Sequence, residues 1–465
     1  MFKKLLIFLS AIAAVHAQAG DKIKYYFNHP VDNSVAHGVN AVYLNSCFGD
    51  TLVAYINRAK YSLDIAVYNY TSSYPAIATA INNAYSRGVQ VRWIYDSSSS
   101  NTGMPLVNPA INRLASPAPT GPYNIMHNKF MVVDAISTNP DDPIVWTGSS
   151  NWNTQQFNYD YNNIIILQDS ALAAAYRAEF NMMWGGNGLA PTPASKFGPF
   201  KTDLGAHNFT IEGHHVELYF SPSDNTTSHF QSALSSADKD LYFGIYTFTD
   251  NSTSGIMVSR HNAGVYVAGI EDQSSDSYTP YTALTSALGT ASFKVYSGSN
   301  LYHNKFSVID PSDVCSDPQV TTGSYNWSIA ANTKNDENML IIHSDTAANV
   351  YYQAFRGNFS GLGGSLTTVS GCLAATPVIE APQMAVSIYP NPGTGSFTIA
   401  YNNPATGKVR VQITDMPGKI VVEKNLENIA AGPHKLELSI AAPGMYICTI
   451  VAGTSISNQK ILISK

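Results

Sequence analysis

Charge is scarce in this chain. Only 12% of its 465 residues are Asp, Glu, Lys or Arg, and 26 basic residues face 32 acidic ones for a formal net charge of −6. A protein that grips duplex nucleic acid neutralises phosphates with a basic face, and this balance supplies none overall, although a local cationic cleft is compatible with it. Cysteine is scarcer still. The four residues Cys47, Cys315, Cys372 and Cys448 form no C-x-x-C pair, which argues against a zinc ribbon or finger. Long apolar runs are also missing. Beyond Leu5 to Val15 no stretch approaches the roughly 20 apolar residues that a transmembrane helix needs.

That apolar run follows Lys3 and Lys4 and precedes two small-residue cleavage sites, Val15-His16-Ala17 and Ala17-Gln18-Ala19. The pattern reads as an export signal over residues 1–19. A mature protein that is soluble or surface-attached is therefore expected, in a compartment where disulfides are permitted. Three pairings are open, with free buried thiols as the alternative. A bond from Cys315 to Cys372 would pin the loop around Cys315. The length alone implies two to four domains.

Against this sparse background one pattern repeats. His127-Asn128-Lys129-Phe130-Met131-Val132-Val133-Asp134 returns as His303-Asn304-Lys305-Phe306-Ser307-Val308-Ile309-Asp310. Each copy is followed by a G-S-x-N-W box, Gly148-Ser149-Ser150-Asn151-Trp152 and Gly323-Ser324-Tyr325-Asn326-Trp327. A lone H-x-K on a strand is usually an accident of composition. Two copies with matching boxes are not.

The repeat extends to the surrounding elements. Helix patterns over Phe48 to Ala59 and Ser228 to Ala237 precede strand patterns over Leu63 to Val67, read as half-buried, and Asp240 to Phe248. Second helices, Tyr74 to Arg87 and Ser254 to Asn262, precede strands Val89 to Asp96 and Val265 to Ile270. After each motif and box come a strand and a helix: Asn163 to Leu167 with Ser170 to Trp184, and Asn338 to Ile342 with Thr346 to Phe359. The expected architecture is a duplicated α/β fold with mixed sheets under helices, first half 20–200 and second half 201–372. A Pro-flanked linker, 373–385, leads to short alternating strands over 386–465, an all-β sandwich.

On a strand, residues two apart face one way, so His127 projects with Lys129 and His303 with Lys305. If the halves pack about a pseudo-two-fold axis, two imidazoles and two ammonium groups meet in one cleft. Such a set can split a phosphodiester without metal or cofactor. One neutral imidazole attacks phosphorus, and the other, protonated, donates to the leaving oxygen. Lys129, Lys305, Asn151 and Asn326 hold the non-bridging oxygens, and Ser149 and Ser324 add hydroxyl donors. Each imidazole needs a partner on its second nitrogen. Glu337 is the best candidate, and the corresponding offset after the first box lands on Asn162. Asp134 and Asp310 complete the motif's catalytic set by position, yet chemically they read as acceptors for loop amides at a strand end. Trp152 and Trp327 read as core. His207, His214, His215, His229, His261 and His343 lack metal-ligand spacing and read as ordinary surface or core histidines. Tyr242, Tyr246, Tyr278, Tyr281 and Tyr302 are expected to pack or to line a cleft rim.

With these motifs the segment from about Asn40 to Phe359 resembles the phospholipase D superfamily. The resemblance implies two similar α/β halves sharing one active site, a phosphohistidine intermediate and no metal. It assigns the family roles to His127, Lys129, Asn151, His303, Lys305 and Asn326, with Glu337 as the supporting acid and no counterpart at Asn162. It commonly makes the first-motif histidine the nucleophile, and the Glu337/Asn162 asymmetry makes His303 a rival. The segments Asp134 to Gly148 and Asp310 to Gly323 are expected to form a substrate-selecting rim. The C-terminal region resembles type A sorting domains of the type IX secretion system, through Tyr389-Pro390-Asn391-Pro392, Asp415-Met416-Pro417-Gly418-Lys419, Gly444-Met445-Tyr446 and Lys460-Ile461-Leu462-Ile463. That implies passage across the outer membrane by the secretion machinery. The expectation is a monomeric, secreted phosphodiesterase acting on phospholipid head groups. The alternatives are a nuclease and a catalytically silent surface binding protein.

Overall fold

The structure, a computed structural model, describes residues 21–275, 277–371, 386–403, 405–416, 418–453 and 455–464. The expected signal peptide, the linker and Cys372 lie outside the described residues. The chain divides into two compact units, one of them Gly20–Ala374 and the other holding the C-terminal strands. Cys315 is disulfide-bonded, while Cys47 and Cys448 are free thiols. No helix among the described residues is long and apolar enough to cross a membrane.

The larger unit is built twice from one plan. Its first half contains β1 (Ile23–Phe27), β2 (Val42–Tyr43), α1 (Phe48–Arg58), β3 (Ser62–Val67), α2 (Ala76–Ser86), β4 (Gln90–Tyr95), β5 (Asn112–Ala115), β6 (Lys129–Val133), β7 (Ile144–Gly148), α3 (Thr154–Asn158), β8 (Asn163–Leu167) and α4 (Ser170–Trp184). Its second half contains β9 (Asn208–Ile211), β10 (His214–Ser221), α5 (Thr226–Ser235), β11 (Asp240–Ile245), α6 (Asn251–Asn262), β12 (Tyr266–Asp272), α7 (Thr279–Ser292), β13 (Phe293–Tyr296), β14 (Lys305–Ile309), β15 (Gln319–Gly323), α8 (Ile329–Thr333), β16 (Glu337–His343) and α9 (Asp345–Gly361). The sheets run β2-β1-β8-β7-β6-β3-β4-β5 and β13-β12-β11-β14-β15-β16-β10-β9. From β1 and from β10 the two orders coincide. Each sheet is mixed, parallel through β3-β4-β5 and β11-β12-β13 and antiparallel across the motif strands.

The expected half-buried strand at Leu63 to Val67 is corrected. Ser62–Val67 is buried along its whole length. The inserted polar residue, Asp64, is not solvent-facing but pairs with Arg92 at 2.6 Å and Arg177 at 3.3 Å. The sheet has apolar cover on both faces, so alternation there records a buried ion pair, not an exposed face.

The two halves share one core. Phe130 and Val132 of β6, Phe306 and Val308 of β14, Tyr176 and Phe180 of α4, and Tyr351 and Phe355 of α9 belong to a single apolar cluster. Within it lie two reciprocal amide contacts. Asn338 Nδ2 donates to Asn128 Oδ1 at 2.9 Å, and Asn163 Nδ2 donates to Asn304 Oδ1 at 3.0 Å. Thr147 and Tyr176 hydroxyls donate to Asn338, and Thr322 and Tyr351 hydroxyls donate to Asn163. Each asparagine thus reaches from one half into the other half's motif.

The C-terminal unit is a β-sandwich. One sheet holds β17 (Val386–Tyr389), β18 (Ser396–Asn403) and β21 (Gly432–Ser439), and the other holds β19 (Gly407–Asp415), β20 (Ile420–Ile429), β22 (Gly444–Ala452) and β23 (Ser455–Ile463). Phe397, Ile399, Val411, Ile413, Ile450 and Ile461 fill its centre.

The asparagine contacts predict that Asn338→Ala destabilises the larger unit by about 2–4 kcal/mol, because Asn128, Thr147 and Tyr176 lose a buried partner together. Urea denaturation measures it.

Candidate active site

The motif strands deliver their histidines just before β6 and β14 begin. The supporting residues come from the opposite half. His127 Nδ1 lies 2.9 Å and 2.8 Å from the two carboxylate oxygens of Glu337, at the start of β16. His303 Nδ1 lies 3.1 Å from Asn162 Oδ1, just before β8. Two box serines brace these partners: Ser324 donates to Glu337 at 2.7 Å and Ser149 to Asn162 at 2.8 Å. The backbone follows the same crossing, since His127 N–H donates to the Asp336 carbonyl at 2.9 Å. The asymmetry expected from sequence is present, and it runs across the halves. The single carboxylate serves the first-motif histidine, and His303 receives only an amide.

The two lysines are deeply buried and matched. Lys129 Nζ donates to the His127 carbonyl and Lys305 Nζ to the His303 carbonyl, each at 2.8 Å. Each ammonium also lies over an aromatic face, Lys129 over Tyr68 at 5.4 Å and Lys305 over Tyr246 at 5.0 Å. The same tyrosines flank the imidazoles, with ring centroids 5.0 Å apart for Tyr68 and His127 and 4.8 Å for Tyr246 and His303. Tyr246 is one of the tyrosines expected to pack or to line a cleft rim; Tyr68 is not among them, although it directly follows β3 as Tyr246 follows β11.

Electrostatically the cluster is strained toward neutrality. Burial lowers the His127 imidazole, and Glu337 opposes that shift. Burial brings Lys129 down to about 7. Burial, then Lys305, Lys129 and His127, hold His303 well below its usual range. Burial and then Lys129 do the same to Lys305. The four groups therefore feel one another across the halves. Among the described residues, Oδ1 of Asn151 and of Asn326 is buried without a hydrogen-bond partner. Amides left so are suited to turn toward a bound ligand. An anion entering this cluster meets convergent donors and relieves the mutual repulsion of the cations.

Asp134 and Asp310 are not part of this cluster, which corrects their place in the catalytic set. Asp134 accepts the amides of Lys60, Tyr61 and Ser62, which lead into β3, at 2.7–3.0 Å. Asp310 accepts those of Asp238, Lys239 and Asp240, which lead into β11, at 2.8–3.1 Å. Both sit at positive φ, 55° and 50°, a conformation that aims the carboxylate back at those amides. They mark the far end of the motif strands, some five residues and roughly 17 Å from the lysines' end. The segments after them start from that far end and return to the site through β7 and β15, which end at Gly148 and Gly323. Trp152 and Trp327 are buried, as read from sequence.

A family model described as cardiolipin synthase, PLD-like domain, matches residues 52–184 and again 230–358. The chain belongs to the phospholipase D superfamily. A second model, the secretion system C-terminal sorting domain, matches residues 387–464 of this phospholipase D-like chain and indicates export to the cell surface or the medium. Mitochondrial cardiolipin hydrolase of Drosophila melanogaster is 32% identical over 29% of the chain and 57% of its own length. Phospholipase D of Rickettsia typhi is 26% identical over 30% of the chain and 65% of its own length. The chain thus spans less than two thirds of these curated relatives. Among solved structures, phosphatidylserine synthase of Haemophilus influenzae superposes with a TM-score of 0.51 at 14% identity, covering 72% of this chain and 85% of that one, which shows a shared fold.

Two predictions separate scaffold from site. Asp134→Ala should cost about 2–4 kcal/mol of stability, since it strips three strand-start amides of their acceptor, while the folded fraction keeps its turnover; denaturant titration alongside activity per folded molecule checks this. Lys129 behaves oppositely. Its folded pKa near 7 lies below the ordinary 10.5, so the unfolded chain holds the proton more tightly. The cost to folding is full below pH 7 and fades as pH rises toward 10.5. Lys129→Met should therefore lose activity yet raise the melting temperature at pH 6 by at least about 2 °C, with the gain shrinking by pH 10.

Proposed function

We propose that this chain is an exported phosphodiesterase that hydrolyses phospholipid head groups through a phosphohistidine on His127, without metal. The crossing of Glu337 onto His127 carries the reading. A carboxylate on Nδ1–H fixes the tautomer that leaves Nε2 as the nucleophile, and it stabilises the positive ring formed when phosphorus is added. His303, held by an amide, carries the proton. Once the anionic substrate offsets the lysine charges, His303 Nε2–H is retained and faces the leaving oxygen. The P–N bond forms as the P–O bond to the leaving alcohol breaks, and that oxygen takes the His303 proton. Water then gives a proton back to His303 as its oxygen attacks phosphorus, and the P–N bond breaks. Lys129, Lys305, Asn151 and Asn326 hold the non-bridging oxygens. Ser149 and Ser324 act one step back, through Asn162 and Glu337. Both halves lie in one chain, so the site needs no second copy.

Lipid is favoured over nucleic acid by the acidic balance of the chain and by the relatives named cardiolipin hydrolase and phospholipase D. The test offers the purified protein phosphatidylcholine or cardiolipin vesicles, and single-stranded DNA, with EDTA present. Head-group release is expected, with His127→Ala and His303→Ala each at least about 10²-fold slower. His303→Asn should accumulate phosphorylated His127 from a substrate with a good leaving group. Glu337→Gln should slow turnover far more than Asn162→Asp. DNA nicking alone moves the reading to a nuclease, and turnover of neither substrate favours a binding protein. Loss of activity to chelator, or normal rates in either alanine variant, sinks the mechanism.

A further inference from the structure

At the opposite end of β16 from Glu337, a second cluster has formed from histidines that sequence spacing had left unremarkable. β10 and β16 are antiparallel neighbours in which His215 stands directly opposite His343. Their rings stack with centroids 4.7 Å apart and planes 22° apart. Glu217, two residues along β10, projects from the same face. Its carboxylate accepts from His343 Nε2 at 2.7 Å. One potential ligand atom each from His215, Glu217 and His343 fall within 4.8 Å of one another. Six strand residues, roughly 20 Å, separate this triad from Glu337.

We propose that His215, Glu217 and His343 bind Zn²⁺ at a site apart from the phosphodiester site, with water in the fourth position. Two imidazoles and a carboxylate are a common zinc donor set, and imidazole disfavours Mg²⁺ and Ca²⁺. The surrounding groups orient these ligands as an outer layer should. Asp317 accepts from Nδ1 of His343 at 3.2 Å, which holds a hydrogen on that nitrogen and leaves Nε2 as the atom to bind a metal. The Tyr219 hydroxyl donates to the other oxygen of Glu217. His215 Nε2 contacts Asn208 of β9 at 2.9 Å, an exposed contact that is cheap to exchange for a metal bond. Zn²⁺ would displace the hydrogen that His343 Nε2 now shares with Glu217. No redox step is involved. The ion would fasten β10 to β16 and, through Asp317, hold the loop that carries the disulfide-bonded Cys315.

A neighbouring group, Asp203, His207 and Asp224, is the weaker candidate. It offers one imidazole against two carboxylates, a harder donor set that suits Zn²⁺ less well.

The experiment is isothermal titration of the full, chelator-stripped protein with Zn²⁺ alone, in parallel with Mg²⁺ and Ca²⁺ and with melting temperature as a second readout. One Zn²⁺ per chain is expected, with a rise in melting temperature, and no heat from Mg²⁺ or Ca²⁺. His343→Ala and His215→Asn should abolish both signals. Asp317→Asn should weaken Zn²⁺ about 10-fold or more, and it guards against a folding defect in the ligand variants. Head-group release should be the same with and without Zn²⁺, which separates this site from the catalytic reading. The proposal is overturned if no Zn²⁺ binds, if binding survives His343→Ala, or if His207→Ala or His127→Ala removes it instead.

Discussion

Neither half of the duplicated unit can complete its own histidine. The strand starts at Asn162-Asn163 and Glu337-Asn338 each cross the pseudo-two-fold axis and supply the other half's motif. These groups are buried, so each must find its partner or leave a desolvated polar atom behind. Correct docking satisfies them all together. A sliding or a separation of the halves would expose several unpaired amides, a carboxylate and two imidazoles in one move. The geometry of the site and the specificity of the interface are therefore the same set of hydrogen bonds.

This constraint explains how so sparse a chain holds two buried ammonium groups. Each lysine has a backbone carbonyl and an aromatic face, and Glu337 is the single carboxylate in contact with a motif histidine among the described residues. The burial cost is met by the large shared core around the site. What the core sustains is a pocket whose charges balance once an anion arrives. The motif aspartates serve the same end from a distance. By gathering the amides at the start of β3 and β11, they fix the strands that lead into Tyr68 and Tyr246 beside the imidazoles.

The elements with strong periodicity were legible in the chain itself: the helix Ser170–Trp184 and the strand Asn163–Leu167 stand where the pattern put them. So were the two motifs, because an exact repeat is a signal that needs no partner information. What could not be read was contact between distant residues. Glu337 could be singled out by its offset, but not that it serves His127 and not the histidine of its own half. The alternation at Leu63 to Val67 concealed a buried Asp64-Arg92 pair, since a polar residue on a strand reads the same whether water or guanidinium faces it. Strand Ile420–Ile429 is exposed along much of its length, so its sequence shows no clear apolar face. His215 and His343 are 128 residues apart, and only the β10-β16 register makes them neighbours.

Duplication within one chain permits what a symmetric pair of identical halves forbids. In a pair of copies both histidines would meet the same residue at the crossing position. Here the position holds Glu337 on one side and Asn162 on the other, so the two imidazoles have different environments before substrate arrives. A ring that is to carry phosphorus gains from a fixed negative charge on its far nitrogen. A ring that is to give and regain a proton is better served by a neutral acceptor, because a carboxylate would hold that proton too firmly. The serines behind them, Ser324 and Ser149, play matching parts. At the second ring nitrogen the halves thus differ by one side chain, and that one residue is enough to break the degeneracy of two otherwise matched histidines.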